Sequence, residues 1–333
     1  MPANYKVLQE KDYAESFGPT HAFALDILVG LSDKPKRIPS KYLYDDNGSK
    51  LFSEITFVPE YYLTNCEIDI LSNQADKIID TVKDEPFNLI ELGAGFGRKT
   101  KILLEKFSEA KLDFQYVPID ISESAMIGLR DSMNESFPDI EVNGLVSDYF
   151  VGLKWLNERF SKRNLVTFLG SSIGNFTFAE ARFFLRNVWT CLNRDDLFFI
   201  GFDLKKDIEL LLSAYNDLKG ITSRFNLNVL DRINKELGGQ FDKSRFRHFG
   251  TYDVFSGAME SYLVSLENQE VPINQIGRSF HFDEWEPIHT EYSYKYLISD
   301  IRELASDTGF DEVVNLFDSK KYFCDSIWRV NKS

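Results

Sequence analysis

The sequence predicts an α/β protein: a mostly parallel central sheet with helices on both faces, and a second, α+β part. Three observations carry this. The stretch Asn88-Leu-Ile-Glu-Leu-Gly-Ala-Gly-Phe-Gly-Arg-Lys-Thr100 is a short apolar run that stops at three alternating glycines. Behind it Ile102, Leu103, Leu104 and Phe107 recur at helical spacing, so it reads strand, glycine loop, helix. Further apolar runs then alternate with helical stripes as far as Asp203, the pattern of a parallel sheet built by crossovers. After Asp203 the pattern breaks into helices and aromatic-rich short strands before helix and strand return.

Residues 1 to 35 read as mostly helical and polar. Asp46-Asn47-Gly48 is a turn signal, and Leu51, Phe52 and Ile55 mark a short helix ending before Pro59. Val58 to Thr64 reads as a proline-punctuated loop with paired aromatics. Ile68, Leu71, Ala75, Ile78, Ile79 and Val82 make one helical stripe from Cys66 to Val82. The strand Leu89–Leu92 follows, and Gln115–Asp120 is the second strand. Ser122 caps a helix reaching Ser132. Val142–Asp148 and Leu165–Gly170 are the third and fourth strands. Thr177 and Glu180 form a capping box, and Leu197–Asp203 is the fifth strand. Two helical stripes come next, through Leu211 and Tyr215 and through Phe225 and Ile233. Phe246 to Tyr296 reads as antiparallel strands. A helix at Ile301–Ala305 with Gly309 as its cap precedes strands Val313–Phe317 and Tyr322–Val330. The sheet is thus interrupted by an insertion. One domain is expected from 66-203 and 297-333, the other from 1-65 and 204-296.

Composition narrows the function classes. At 333 residues the chain can bury a large core. Acidic residues outnumber basic ones 52 to 38, a net charge of −14, which disfavours a phosphate-backbone partner. The three cysteines and four histidines are scattered, with no metal-ligand spacing. Without an apolar signal core or a bilayer-length run, a cytoplasmic protein with reduced thiols is expected, acting as a monomer on a small molecule.

In an open parallel sheet, ligands sit at the carboxyl ends of the strands. The polar residues there are Glu91, Asp120, Asp148, Asn175 and Asp203. An acid such as Asp120 can accept both hydroxyls of a ribose, or simply cap the next helix. Asp148 with Tyr149 suits an adenine, its amino group hydrogen-bonded and its ring stacked, or is a loop acid beside an aromatic. Lys99 can meet a ligand carboxylate or lie solvated on its helix. Gly170-Ser-Ser-Ile-Gly174 lacks nucleophile-elbow spacing. Arg98 stands where the dinucleotide fingerprint needs a glycine, which leaves a nicotinamide-dependent dehydrogenase as a weaker alternative.

Glu91-x-Gly-x-Gly-x-Gly with an acid ending the next strand resembles the first motif of S-adenosylmethionine (SAM)-dependent methyltransferases. A more specific resemblance runs from about residue 22 onward. Tyr44-Asp45, Gly48-Ser49-x-Leu51-Phe52, Ile55-Thr56 and Pro59-Glu60-Tyr61-Tyr62 resemble the N-terminal signature of the histidine Nα-methyltransferases of ergothioneine biosynthesis. So do Phe168-Leu-Gly-Ser-Ser-Ile-Gly-Asn175, Gly201-Phe-Asp-Leu-Lys205, Ala214-Tyr215, Phe225-Asn226-x-Asn228-Val-Leu230 and His289-Thr-Glu291-Tyr-Ser293. The resemblance implies a class I, Rossmann-like methyltransferase domain with a second, substrate-recognition domain. It implies that Gly93, Lys99, Asp120, Asp148 and Tyr149 hold SAM. It implies that Tyr61, Asn175, Tyr215, Glu291 and Ser293 hold the amino acid, with Asn175 and Tyr61 at the reacting amine and carboxylate. Without it, Tyr215 is a core residue on a helical stripe, and Glu291 and Ser293 are a polar strand face. Ser261 stands where the family commonly has a methionine, so the amino acid is histidine or another, such as tryptophan or tyrosine. A catalytically idle SAM-binding scaffold is the alternative from another class.

Overall fold

The computed structural model describes residues 4–7, 18–95, 97–159 and 162–332. The chain divides into two units, the first made of residues 1–8, 62–205 and 294–333, the second of 9–61 and 206–293.

Unit 1 is built on an eight-stranded sheet. Strands are numbered in chain order: β1 (Asn4–Val7), β3 (Phe87–Leu92), β4 (Phe114–Asp120), β5 (Asn143–Val146), β6 (Arg163–Phe168), β7 (Leu197–Asp203), β13 (Phe310–Phe317) and β14 (Phe323–Val330). Their order across the sheet is β1-β5-β4-β3-β6-β7-β14-β13. The first six run parallel, and β14 is antiparallel to both neighbours. This is the Rossmann-like α/β class. Every residue of β3 and β7 is buried, which explains their unbroken apolar runs. The polar exceptions are paired. At the amino ends of the strands the Gln115 amide donates to Asn88 Oδ1 (2.5 Å), Asn88 donates to Asn164 Oδ1 (2.8 Å), and Asn164 donates to Asp196 (3.0 Å). A buried amide left without partners would cost about 1–3 kcal/mol.

Several elements differ from expectation. Within residues 1 to 35, read as mostly helical, Asn4–Val7 pairs parallel with β5 at the sheet edge, and α1 spans Pro19–Ser32. The remainder of that segment before residue 18, apart from the strand, lies outside the described residues. The stripe from Cys66 to Val82 is two helices, α3 (Tyr62–Asn73) and α4 (Ala75–Val82), broken at Gln74, whose amide donates to the Phe317 carbonyl at 2.5 Å. Tyr62 therefore opens a helix rather than closing a loop. The strand read as Val142–Asp148 stops at Val146; Asp148 caps an unforeseen helix, α7 (Tyr149–Asn157), accepting the Phe150 N–H at 2.9 Å. The expected helices are present as α5 (Thr100–Glu109), α6 (Glu123–Ser136), α8 (Phe178–Cys191) and α11 (Ile298–Thr308). Ser122 caps α6, and Thr177 with Glu180 forms the capping box of α8.

Unit 2 combines the helices α1, α2 (Asp46–Ile55), α9 (Ile208–Tyr215) and α10 (Ile221–Leu237) with a sheet. That sheet has the order β2 (Lys36–Arg37), β12 (Pro287–Tyr294), β9 (Ala258–Ser265), β8 (Phe246–Asp253). A separate hairpin joins β10 (Gln269–Ile273) to β11 (Arg278–Phe282). Asp46-Asn47-Gly48 is not a free turn but the first turn of α2. Asp45 caps it through the Gly48 N–H (2.7 Å), and a β-carbon at Gly48 would lie 1.8 Å from the Leu43 carbonyl oxygen. Asn228 of α10 donates to the same Asp45 oxygen (2.7 Å) and accepts from Asn47 (2.6 Å). Two motifs far apart in sequence thus meet to fix where Tyr44 sits.

Candidate active site

In unit 1 the carboxyl ends of β3 to β7 gather most of the polar residues singled out above. Gly93 (φ +72°), Gly95 (φ +50°) and Gly97 (φ +65°) all hold left-handed backbone, which only glycine adopts without strain. The space where a Gly95 β-carbon would point is open for 4 Å. A β-carbon on Gly93 would lie 2.8 Å from the Tyr149 hydroxyl, so that ring lies against the glycine turn, flanked by Phe168 and Phe184. Asp120 spans the loop: one oxygen accepts the Gly95 N–H and the other the Ser122 N–H, each at 2.9 Å. Burial raises its pKa, and those amides oppose the shift. A carboxylate offers about four lone-pair directions, so acceptor capacity remains for a ligand hydroxyl.

Lys99 precedes α5, and its ammonium is 2.6 Å from Glu67 Oε2. Glu67, fully buried on α3, also accepts the Gly170 N–H at 2.7 Å. Sequence reasoning missed Glu67, although an acid on the buried stripe with Leu63, Ile70 and Leu71 was the available signal. Glu91 faces inward, not to a ligand: it accepts from Thr100 and Tyr116, and burial lifts its pKa to about 7. It ties β3 to α5.

After β6 the backbone turns through two left-handed residues, Gly170 (φ +84°) and Ser171 (φ +56°), into the short turn Ser172–Asn175. The Ser171 hydroxyl accepts the Asp203 N–H (2.9 Å), and a β-carbon on Gly174 would sit 2.9 Å from the Tyr294 carbonyl oxygen. Asn175 is therefore carried on a turn fixed at both ends, its side chain half-buried. Asp203 is committed elsewhere. Fully buried, it holds Lys295 Nζ at 2.8 Å and accepts the Tyr62 hydroxyl at 2.7 Å.

Unit 2 brings together the other four residues. The Tyr215 and Ser293 hydroxyls are 2.6 Å apart. Glu291 and Ser293 stand two apart on β12, hence on one face. Tyr44, which the sequence reading left without a role, donates its hydroxyl to Glu291 Oε1 at 3.2 Å. Aromatic rings connect the group: Tyr61 lies 6.4 Å from Tyr215 and 6.3 Å from Phe52, and Phe52 and Tyr44 both pack on Phe225. The arrangement offers an acid, hydroxyls and ring faces, the groups that hold a small polar molecule with a cationic or heteroaromatic part. Asn175, in unit 1, is the one amino-acid-binding candidate outside this group.

Among the described residues no cluster of histidine, cysteine or acids could hold a metal ion, and no helix is long and apolar enough to cross a membrane.

Comparison with known proteins gives a family match across most of the chain. The model of the family described as histidine-specific methyltransferase, SAM-dependent, matches residues 23–330. A histidine N-alpha-methyltransferase from Mycolicibacterium smegmatis is 33% identical over 303 residues, covering 90% of this chain and 92% of that protein. Ergothioneine biosynthesis protein 1 from Schizosaccharomyces pombe is 32% identical over 89% of this chain, which spans 40% of that longer protein. A 4-dimethylallyltryptophan N-methyltransferase from Claviceps purpurea is 29% identical over 86% of this chain and 88% of its own length.

Proposed function

Because the chain belongs to the SAM-dependent, histidine-specific methyltransferase family, we propose that it methylates the α-amino group of free L-histidine up to the trimethylated betaine, a step of ergothioneine biosynthesis. The enzyme is an L-histidine Nα-methyltransferase, and SAM is its methyl donor.

The observation that carries the reading within this chain is the grouping of Tyr61, Tyr215, Glu291 and Ser293 on one aromatic patch. Glu291 and Ser293 are assigned to the imidazole, where a carboxylate makes the stronger, charge-assisted bond. Tyr61 and Tyr215 are assigned to the substrate carboxylate, and Asn175 to the amine. Asn175 aligns the nitrogen lone pair, and alignment alone is worth up to roughly 7–11 kcal/mol in the best-oriented systems. The product is a quaternary ammonium, which an aromatic face stabilises by about 0.5–2 kcal/mol. No side chain is assigned as a base; the amine proton passes to water.

The residues of unit 1 fit SAM. An open glycine turn allows close backbone approach. Asp120 has acceptor capacity for ribose hydroxyls, Tyr149 supplies a ring beside Asp148, and Lys99 supplies a cation for the methionyl carboxylate. Bound SAM supplies an electrophilic methyl on a sulfonium. The free thiols Cys66, Cys191 and Cys324 support a cytoplasmic setting, and the negative charge supports a small-molecule substrate rather than nucleic acid.

The test is mass spectrometry of the enzyme with SAM and a mixture of the twenty amino acids. Mono-, di- and trimethylated histidine are expected. Methylation of tryptophan or tyrosine instead would transfer the assignment to another aromatic amino acid, a reading that the buried, small Ser261 favours. No methylated product would leave an idle SAM-binding scaffold.

A further inference from the structure

Beside β7 lies a buried group that the reaction does not use. Asp325 of β14 is fully buried, and neither of its oxygens receives a donor among the described residues. It stands opposite Gly201 in the β14–β7 ladder. A β-carbon at Gly201 would lie 3.0 Å from Asp325 Oδ1 and 2.6 Å from Glu67 Oε1, so the two carboxyl groups converge on the space that glycine leaves empty. Glu67 is already engaged as an acceptor by Lys99 and the Gly170 N–H. A bare carboxylate facing a second carboxylate in a buried site is costly, and an ionised Asp325 would have no donor among the described residues to offset it.

We propose that Asp325 is a positioning residue: it stays a neutral carboxylic acid whose O–H donates to Glu67, and Glu67 so fixed presents the Lys99 ammonium and the Gly170 turn to the carboxylate of the methyl donor. This rests on the SAM reading of unit 1. Two consequences make Asp325 matter. Glu67 gains a third donor, which holds its rotamer without an additional cation. And Lys99 faces one negative charge rather than two, so its attraction for an incoming carboxylate is not cancelled. The direction of the Asp325 acidity agrees: burial first, then the Glu67 charge, push it well above the carboxylate range, while Lys99 pulls it down and Asp318 adds to the rise. Asp318 accepts the Lys320, Tyr322 and Phe323 N–H groups. Cys324, the preceding residue, is held as a neutral thiol by burial.

The experiment compares wild type, Asp325→Asn and Asp325→Ala by calorimetric titration with SAM and by steady-state kinetics. Asn reproduces the donor without the titration, so Asp325→Asn should bind SAM within about twofold of wild type. Asp325→Ala removes the donor and should weaken SAM binding about tenfold, raising KM for SAM with kcat much less changed. Equal losses in Asn and Ala would overturn the proposal, because they would mean that the charge is required. Two unaffected variants would overturn it as well. If Asp325→Ala does not fold, melting curves of wild type and Asp325→Asn against pH decide. An aspartate held neutral in the fold but ionised when unfolded loses stability as pH rises above about 4. The Tm of Asp325→Asn should therefore gain on wild type by several degrees between pH 5 and pH 8. A difference that stays flat would show an ionised Asp325. Failure of wild type to bind SAM would instead strike the functional reading, and the melting series would still judge the protonation state.

Discussion

Replacing Glu291 by alanine is the sharpest probe of substrate choice. Glu291 is half-buried on β12, and one of its oxygens is held by the Tyr44 hydroxyl at 3.2 Å, a long and therefore modest bond. A charge-assisted bond to an imidazole N–H is worth about 1.5–3 kcal/mol, and incomplete burial favours the middle of that range. A loss of about 2 kcal/mol corresponds to roughly thirtyfold in kcat/KM for histidine. An apolar aromatic side chain gains nothing from the carboxylate and must strip its water, so its efficiency should hold or rise. The ratio of kcat/KM for histidine to that for tryptophan should then fall at least thirtyfold, read from methylated product by mass spectrometry. Tyr44→Phe should move the same ratio less, by about 1 kcal/mol, since it frees the carboxylate without removing it. A ratio that does not move in Glu291→Ala, or a wild type that never methylates histidine, would refute the imidazole assignment.

Three further outcomes are expected. Asp120→Ala should weaken SAM binding by about 1–3 kcal/mol, because ribose hydroxyls lose a charged acceptor; unchanged calorimetric affinity in a folded variant would remove Asp120 from the site. Asn175→Ala should lower kcat while Tm stays near wild type; a collapsed Tm with normal activity per folded molecule would make Asn175 structural. His248 and His289 each bury an Nε2 without a partner among the described residues, and burial depresses both pKa values to about 4. Since the unfolded values lie near 6.5, the folded state binds fewer protons, and stability present above that pH is lost as pH falls toward 4, by up to about 3 kcal/mol per residue. Melting curves of the double variant His248→Gln/His289→Gln should show a flatter acid limb, and an unchanged limb would refute this account.

The glycine turn after β3 was legible because a buried parallel strand must be apolar throughout and its turn needs left-handed residues. Glu291 and Ser293 were legible as a pair because strand geometry puts alternate residues on one face. Their partners were not: Tyr44 and Tyr215 reach them from elements distant in sequence, and no local pattern encodes that meeting. Helix α7 escaped notice because Tyr149–Asn157 is apolar on most sides and carries Gly152 at its middle. That glycine has a packing cause, as its β-carbon would lie 3.0 Å from the Ile119 side chain. The break between α3 and α4 was hidden because the apolar stripe continues across it, and its cause, the bond from Gln74 to the distant Phe317 carbonyl, is tertiary. The edge strand Asn4–Val7 depends on pairing with β5 across more than a hundred residues. The meeting of Glu67 with Asp325 is likewise a product of the fold, since neither residue belongs to a motif.

The position of β14 has a consequence for how the protein comes into being. Strand β14 lies between β7 and β13, pairing with β7 from Asp203 to Leu197 and with β13 from Phe317 to Phe310. The ribosome makes β7 more than a hundred residues before β14, and β13 just before it. Until Val330 has emerged, the β7 edge stays open and β13 has no place on the sheet. The face formed by Phe198, Phe310 and Trp328 also lacks its indole until then. An open edge of buried strand beside exposed phenylalanines is the kind of intermediate that associates with its own copies. A chain stopped before Phe323 is therefore expected to yield aggregated material rather than a weakened enzyme. Closure of unit 1 must wait until β14 has been translated, more than a hundred residues after β7.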